Sequence, residues 1–280
     1  MPEIGEIQAH AERLERDWSG KTLAKFRPIT FYVLKTFSPD PTTAHGQTLK
    51  TVTTRGKYLQ LIFEETTFLI HLMQGGRLRP DEKQTAKPRG GQARWTFDDG
   101  TALLLTEAGS DKRAGIWVFD NETDLEDIEP LSKLGPNADT VSLEDFASIL
   151  GEHSMRIHGL LRRQGIIAGL GRRLANDVCH AAKISPFATA SKLNADQVGA
   201  LHTAIATCVD RSLEFERAQS EIVSSKKRPS VVHNNTGNDC PVCGDTIREV
   251  AYVKYSVNYC ATCQTNGKVL ADNTTSKFLK

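Results

Sequence analysis

Apolar side chains recur at helical spacing at the start of the chain. Mostly polar residues separate Ile4, Ile7, Ala11, Leu14 and Trp18, which lie three or four positions apart. That period places the apolar side chains on one face of an α-helix. The pattern predicts a single amphipathic helix over residues 3–17.

After this helix, the pattern changes to the apolar runs and alternations that are typical of β-strands. Three stretches carry it: L-K-T-V-T-T-R-G-K-Y-L-Q-L-I-F-E at 49–64, T-T-F-L-I-H-L-M at 66–73 and A-R-W-T-F-D-D-G-T-A-L-L-L-T at 93–106. In the third stretch, Asp99-Gly100 is a strong signal for a tight hairpin turn. These residues predict an antiparallel sandwich or barrel with the first helix attached.

A second change of pattern begins near Leu134. Residues 142–222 are rich in alanine, leucine and charged residues at helical spacing, which predicts a helical region. The glycines of A-G-L-G at 168–171 interrupt this region. A polar stretch over 224–238 follows, and then E-V-A-Y-V-K-Y-S-V-N-Y at 249–259 alternates as expected for a β-hairpin.

Four cysteines form two C-x-x-C pairs, C-P-V-C and C-A-T-C, which are separated by sixteen residues. They are Cys240, Cys243, Cys260 and Cys263. Paired thiolates at this spacing are typical ligands of a tetrahedral S₄ zinc site, so we expect one structural Zn²⁺. Two disulfides or scattered thiols are the alternatives, and nothing in the sequence indicates an oxidising compartment. Cys179 and Cys208 lie in helical patterns and are expected to be buried thiols.

Composition limits the class of protein without naming its partner. The 280 residues suit about two domains plus the metal module, and 39% hydrophobic and 25% charged residues are ordinary for a globular protein. No apolar run is long enough for a membrane span, and the charged N-terminus lacks the apolar core of a signal peptide. We therefore expect a cytoplasmic protein with no membrane partner.

The net charge of +1 conceals an uneven distribution. Residues 1–150 carry 18 Lys/Arg against 23 Asp/Glu, a net charge of −5, whereas residues 151–235 carry 12 against 7, a net charge of +5. A basic middle region beside an acidic first half is compatible with a localised phosphate-binding face.

Six short motifs occur in an informative order along the chain. They are M-P-E-x-x-E at 1–6, R-G-K-Y-L at 55–59, H-L-x-x-x-G-R-L at 71–78, D-x-R-x-G at 111–115, Q-x-I-x-A-G-L-G at 164–171, and the four-cysteine module. In this order they resemble the motifs of the formamidopyrimidine-DNA glycosylase / endonuclease VIII family. The resemblance covers nearly the whole chain.

The resemblance implies an α+β multidomain fold. It places an N-terminal antiparallel β-sandwich with an N-terminal helix at 1–132 and a helix–two-turns–helix DNA-binding domain at 133–230. A C-terminal zinc finger built on a β-hairpin follows at 231–270, and the tail over 271–280 is expected to be disordered. The implied partner is double-stranded DNA containing oxidised bases or abasic sites, bound by a monomer associated with the nucleoid.

The implied chemistry begins at Pro2. Removal of Met1 would expose its secondary amine as the nucleophile that displaces a damaged base through a Schiff base, after which elimination cleaves the strand. The resemblance implies that Glu3 is the general acid/base, that Glu6 supports it and that Lys57 acts at the lesion. From the residues alone, Pro-Glu is also a common helix start, and Lys57 could be a solvated turn lysine.

The resemblance also implies a set of DNA contacts. These are His71, Met73, Gln74 and Arg113, and Arg172 and Lys254 are candidates to replace phosphate contacts whose family residues this chain lacks. Met73 and Gln74 are alternative wedges that fill the gap left by a flipped nucleotide, and Arg113 faces the orphaned opposite base.

The chain departs from the family pattern at several DNA-binding positions, of which three bear on the contacts above. Ala114 is too small for the wedge often found there, and Arg172 replaces an asparagine that contacts phosphate. Tyr255 stands where the family has a phosphate-clamping arginine. The departures at Arg172 and Tyr255 leave open an alternative function, a catalytically weak paralogue that binds damaged DNA without excising bases.

Overall fold

A computed structural model describes residues 1–224, 227–253 and 255–270. The chain forms two compact units. The first contains residues 1–133 together with 213–226, and the second contains 134–212 and 227–280. The tail predicted to be disordered, 271–280, lies outside the described residues.

The first unit opens with helix α1, Ile4–Trp18, which confirms the predicted amphipathic helix. Its apolar residues, among them Ile7, Leu14 and Trp18, are buried in the core of the unit. The helix begins with a capping box, in which the side chains of Glu3 and Glu6 each accept a hydrogen bond from the other's backbone N–H. These reciprocal bonds satisfy backbone donors that the first turn cannot pair internally.

Two four-stranded antiparallel sheets follow α1 and confirm the predicted sandwich. In spatial order, the first sheet contains β1 (Leu23–Pro28), β6 (Gly91–Phe97), β7 (Ala102–Glu107) and β5 (Gly76–Pro80). The second contains β2 (Leu49–Arg55), β3 (Tyr58–Phe63), β4 (Thr66–His71) and β8 (Gly115–Asp120).

Aromatic side chains from both sheets meet in the core of the sandwich. Phe26 of β1 lies with its ring centroid 4.9 Å from that of Phe68 in β4 and 5.0 Å from that of Trp95 in β6. These tilted contacts bury large apolar area in the geometry that aromatic pairs prefer. The predicted hairpin turn at Asp99-Gly100 is confirmed, because it joins β6 to β7.

Residues 213–226 complete the first unit from far along the sequence. Ile222 is 4% exposed and belongs to the same core as the sandwich. The guanidinium of Arg13 on α1 donates a 2.7 Å hydrogen bond to the backbone carbonyl of Glu216, whose side chain is fully buried.

The second unit contains most of the predicted helices. They are α2 (Leu143–Gly151), α3 (Ile157–Leu160), α4 (Arg172–Ala181) and α5 (Ala195–Arg217), of which α5 ends within the first unit. The A-G-L-G segment forms the turn before α4, as its glycines predict. The Gln164 side chain braces that turn, because its amide donates to the Leu170 carbonyl and accepts from the backbone N–H of Gly169.

The predicted C-terminal hairpin is also confirmed. Strand β9, Ile247–Tyr252, pairs antiparallel with β10, Tyr255–Cys260, and the short helix α6, Ala261–Thr265, follows directly. The α+β class with two antiparallel sheets, a helical region and a cysteine-bearing hairpin therefore agrees with the expectation. Among the described residues, no helix is both long and apolar enough to cross a membrane.

Candidate functional site

Two buried carboxylates occupy the first turn of α1, next to Pro2. Glu3 is 4% exposed and Glu6 is fully buried, and Pro2 is buried as well. Buried carboxylates require hydrogen-bond donors, and the capping box supplies backbone N–H groups at the positive end of the helix dipole. The helix therefore holds two acidic groups within one turn of the nitrogen of residue 2.

Lys57 is buried, which contradicts its interpretation as a solvated turn lysine. It forms the two-residue turn between β2 and β3 together with Gly56, whose positive φ of 57° suits glycine. Only 3% of Lys57 is exposed. Turn lysines normally extend into water, so burial of this side chain indicates a defined position for its ammonium group.

His71, at the end of β4, is held as a neutral imidazole. Burial and, in second place, the charge of Lys57 lower the pKa of His71 to about 4. Its Nδ1 accepts a 3.0 Å hydrogen bond from the backbone N–H of Met73, so Nε2 carries the proton. His71 can therefore contact a phosphate as a neutral donor but not as a cation at physiological pH.

The loop after β4 carries both residues predicted as wedges. Gln74 is exposed, whereas Met73 is half-buried and adopts a left-handed backbone with φ of 51°. This conformation is uncommon outside glycine and often marks functional loops. The loop closes at Gly76, where an added Cβ would lie 2.2 Å from the Leu72 carbonyl oxygen, which explains the glycine of the H-L-x-x-x-G-R-L motif.

Arg113 lies in a loop that a buried carboxylate anchors. One oxygen of Glu107, which is 3% exposed, accepts 2.8 Å hydrogen bonds from the backbone N–H groups of Arg113 and Ala114. The exposed Arg113 guanidinium is paired with Asp111, with 2.6 Å between Nη2 and Oδ2. Exposed pairs of this kind are weak, so the guanidinium is able to exchange this partner for a ligand.

The remaining predicted DNA contacts belong to the second unit. Arg172 is exposed and is the first residue of α4, where the helix dipole favours anions. Lys254 lies outside the described residues.

The four predicted zinc ligands converge in the second unit. The Sγ atoms of Cys243 and Cys260 are 3.4 Å apart, and those of Cys240 and Cys263 are 3.8 Å apart. These separations exceed a disulfide bond length of about 2.05 Å and approach the roughly 3.8 Å between sulfurs of a tetrahedral ZnS₄ site. The thiols therefore form a cluster that fits a metal ion, and neither disulfides nor scattered thiols describe them.

Hydrogen bonding and burial shift the pKa values of these thiols in opposite directions. The backbone N–H of Asp245 lowers the pKa of the Cys243 thiol, whereas burial raises the pKa of Cys260 to about 11. Four neighbouring thiols become thiolates together only when a cation balances their charge.

His180 on α4 belongs to the cluster, although its sequence position gave no signal. Its Nε2 lies 3.3 Å from the Sγ of Cys240, and with Cys240, Cys260 and Cys263 it forms a group whose ligand atoms lie within 4.8 Å of one another. Sixty positions separate His180 from Cys240, so no local spacing could have indicated the contact.

Asp177, one turn before His180, also contacts the segment that precedes the cysteines. Its buried carboxylate accepts hydrogen bonds from the Ser230 hydroxyl and from the backbone N–H groups of Val232 and His233. Helix α4 thus positions both the cysteine cluster and the segment that leads into it.

The expectation of buried thiols at Cys179 and Cys208 is confirmed. Neither forms a disulfide, and burial raises the pKa of each thiol to about 12. Both therefore stay protonated and unreactive at physiological pH.

Two family models match most of the chain. The formamidopyrimidine-DNA glycosylase N-terminal domain matches residues 1–113, and the formamidopyrimidine-DNA glycosylase H2TH domain matches residues 134–224. The first range contains the acidic turn of α1 and Lys57, and the second contains the glycine-rich turn and α4.

Individual relatives agree with these models. An uncharacterized formamidopyrimidine-DNA glycosylase-like protein of Mycobacterium tuberculosis is 44% identical over 149 residues, which are 52% of this chain and 94% of the relative. The formamidopyrimidine-DNA glycosylase of Chloroflexus aurantiacus is 26% identical over 274 residues, which cover 94% of this chain and 98% of the relative.

A solved structure shows that the fold is shared. Lactococcus lactis Fpg, in a complex with DNA containing an abasic site, matches with a TM-score of 0.82 at 19% sequence identity. The match covers 94% of this chain and 99% of that chain. The two family models and the M. tuberculosis relative show that this chain belongs to the formamidopyrimidine-DNA glycosylase / endonuclease VIII family.

Proposed function

We propose that this protein is a bifunctional DNA glycosylase and abasic-site lyase that acts on oxidised bases. The observation that carries the proposal is the acidic first turn of α1, in which Glu3 and Glu6 are buried beside Pro2. The capping box stabilises the start of the helix, and it also holds two carboxylates beside the nitrogen that removal of Met1 would expose as an amine. The named relatives support glycosylase activity and leave the lyase step as part of the proposal.

The first step uses the Pro2 amine as the nucleophile. An α-amino group has a pKa of about 8, so an appreciable fraction is neutral at physiological pH. The nitrogen lone pair attacks C1′, the bond from C1′ to the base breaks, and the base leaves with a proton. Opening of the sugar ring then transfers the C1′–O4′ electron pair to O4′, which is protonated, and leaves an iminium ion between Pro2 and C1′.

The second step follows from the charge of the iminium ion. The cation acidifies the protons on C2′, and loss of one of them expels the 3′ phosphate as a leaving group. A second elimination expels the 5′ phosphate, so the strand is cut on both sides of the lesion. One amine therefore links base removal to strand cleavage.

Different side chains of the first unit carry out the proton transfers and the DNA binding. Glu3 moves protons at the sugar as the general acid/base, and Glu6 orients the turn through its bond to the Glu3 backbone N–H. Lys57 binds the phosphate that flanks the lesion or protonates the departing base. His71 assists as a neutral Nε2–H donor. Arg113 faces the orphaned opposite base, and either Gln74 or Met73 occupies the space that the flipped nucleotide leaves.

The cysteine cluster has a structural role in this proposal. Cys240, Cys243, Cys260 and Cys263 would hold one Zn²⁺, which stabilises the fold of the hairpin when it is bound. Arg172 and Lys254 would then contact phosphates of the duplex. A nucleoid-associated cytoplasmic location and a monomeric state remain predictions.

A trapping experiment with a matched pair of proteins tests the mechanism. One protein begins at Pro2, with removal of Met1 verified by mass spectrometry, and the other retains an N-terminal extension that makes the Pro2 nitrogen an amide. Each is incubated with duplex DNA containing an abasic site and reduced with borohydride. We expect a covalent adduct from the first protein only, located on its N-terminal peptide.

The outcomes separate the competing explanations. An adduct of equal yield from the extended protein would assign the nucleophile to a lysine and overturn the role of Pro2. DNA binding without an adduct, from processed and zinc-loaded protein, would favour the paralogue that binds without excision. Parallel assays with an oxidised purine and an oxidised pyrimidine identify the lesion class.

A further inference from the structure

An arginine of the second unit lies on an aromatic platform at the end of the hairpin. The guanidinium carbon of Arg162 is 4.3 Å from the centroid of the Tyr255 ring. Tyr255 is in turn stacked on Tyr252, with 4.7 Å between ring centroids and 13° between ring planes. The two tyrosines are register partners at the end of β9 and the start of β10, so the antiparallel pairing itself builds the platform.

Stacking holds the guanidinium while leaving its hydrogen-bond donors available. The five N–H donors of an arginine lie in the plane of the group, so a ring beneath the plane blocks none of them. The main chain is fixed as well, because the Gln164 amide donates a 3.0 Å hydrogen bond to the Arg162 carbonyl. Arg162 is therefore presented as an oriented, half-buried cation.

No carboxylate neutralises Arg162 within the described part of the chain. Other arginines of the molecule have such partners: Arg94 pairs with Asp81, and Arg217 pairs with Glu12. A stacked guanidinium without a carboxylate is suited to an external anion that accepts two parallel hydrogen bonds, as a phosphate does.

The surface beside the platform also combines aromatic and basic side chains. A groove of about 510 Å³ is lined by Tyr252, Tyr255, Phe187, Arg156 and six neighbours, none of which is acidic, together with His158. Burial, and then the charge of Arg162, lower the pKa of His158 to about 3, so this histidine is neutral. Aromatic rings beside cations, without acidic groups, suit a strand that carries both phosphates and bases.

We propose that Arg162, oriented by Tyr255, is a phosphate-binding residue of the DNA interface. This inference rests on the proposed function and adds a residue to it. Where the family resemblance implies an arginine on the hairpin, this chain has a tyrosine whose ring holds an arginine from the segment after α3. The cation is thus supplied from a different part of the second unit.

A matched pair of substitutions tests the assignment. Arg162→Leu removes the stacked cation, and Arg163→Leu removes the same charge from the adjacent exposed position. Binding to a duplex with a tetrahydrofuran abasic analogue is measured by fluorescence anisotropy over a range of salt concentrations. We expect Arg162→Leu to weaken binding about tenfold and to reduce the slope of log K against log salt by about 0.9, as for one lost phosphate contact. Arg163→Leu should change affinity less than twofold.

Substitutions at the platform test the orienting role. Tyr255→Phe retains the ring and should bind as the unmodified protein does, whereas Tyr255→Leu should reproduce the loss seen for Arg162→Leu. Combining Tyr255→Leu with Arg162→Leu should add no further loss, because both remove the same contact. Circular dichroism and metal content verify folding, and if Arg162→Leu fails to fold, Arg162→Lys and Tyr255→Leu decide the question.

The outcomes distinguish this inference from the proposed function. Equal affinity and salt slope for Arg162→Leu and Arg163→Leu would overturn the role of Arg162 and leave the proposed function untouched. Borohydride trapping at saturating protein should persist in every variant, because the Pro2 amine is untouched. Failure of the unmodified protein to bind or to be trapped would instead contradict the proposed function.

Discussion

Glu6 in the first unit and Asp177 in the second are both buried carboxylates that accept hydrogen bonds from backbone N–H groups. The donor to Glu6 is Glu3, three residues away, whereas the N–H donors to Asp177 lie 55 and 56 residues away. The first carboxylate completes a helix turn that the local sequence already favours. The second closes a long loop, which is opposed by a larger loss of chain entropy.

The same contrast applies to the two candidate sites. The acidic turn beside Pro2 is built from consecutive residues of α1 on a sandwich with a large aromatic core. The cysteine cluster brings together a helix and two ends of a hairpin, and a small apolar cluster around Val232 and Ile247 accompanies it. We infer that the first site keeps its structure without a metal, whereas the cysteine cluster requires a metal to keep its structure.

Removal of two metal ligands should have the largest effect, and it should affect the second site while leaving the first unit folded. We expect Cys240→Ser with Cys243→Ser to abolish zinc retention and DNA affinity, because a structural zinc site contributes about 10–16 kcal/mol of apparent binding free energy. All three tryptophans, Trp18, Trp95 and Trp117, lie in the first unit, so their fluorescence reports on the sandwich alone.

The tryptophan emission and its thermal transition should be unchanged in that variant. Cys208→Ala, which removes a thiol outside the cluster, is the matched control and should keep both zinc and affinity. Loss of the tryptophan transition together with the metal would show that the sandwich depends on the cluster.

Glu3→Gln tests the chemistry of the first site without disturbing the second. We expect base excision to slow by a factor of about 10²–10⁴, as for loss of a general acid/base. Binding to the abasic analogue should persist, since the second unit is intact. Single-turnover excision kinetics provide the measurement.

Glu12→Gln is the control for that substitution, because Glu12 is an acid on the same helix that pairs with Arg217 at the surface. An excision rate for Glu3→Gln equal to that of Glu12→Gln would remove Glu3 from the mechanism.

His180→Phe should lower the metal affinity of the cluster without removing a cysteine, so it tests the second site alone. The imidazole Nε2 lies 3.3 Å from the Cys240 sulfur, where an N–H donor would stabilise a thiolate. Loss of such a supporting contact typically lowers metal affinity by about 10–100-fold. Competition with a chromophoric chelator measures the change, with His153→Phe as the control; equal zinc affinities in the two variants would argue against the contact.

A further expected effect concerns the acid stability of the first unit. Burial, followed by the charges of Arg13 and Arg77, lowers the pKa of His10 to about 3, against 6.5 for an ordinary histidine. Between these pH values the unfolded chain binds a proton that the folded chain does not, so the free energy of unfolding falls as pH decreases from about 6.5 towards 3.

His10→Gln should remove this contribution to stability and flatten the pH dependence of the free energy of unfolding. Each unit of pKa difference corresponds to about 1.4 kcal/mol at most. Urea unfolding followed by tryptophan fluorescence at several pH values checks the slope. An unchanged slope would mean that His10 is not protonated differently in the two states.

The sequence predicted those features that depend on neighbouring residues. The helix at 3–17, the Asp99-Gly100 turn, the hairpin at 249–259 and the cysteine spacing each follow from a local period or a turn signal. The burial of Lys57 was not predictable, because Arg55-Gly56-Lys57 has the composition of an exposed turn. The contacts of His180 and Arg162 were not predictable either, since each joins residues that only the tertiary fold brings together.

The return of the chain to the first unit at Leu213–Lys226 also constrains the order of events during synthesis. Ile222 and the Glu216 carbonyl that binds Arg13 leave the ribosome only after the intervening helices have been made. At about 5–20 residues per second, the 80 positions from Lys133 to Leu213 take roughly 4–16 s. During that interval the nascent sandwich exposes the site for Ile222, so completion of α5 is a condition for sealing the domain that was translated first.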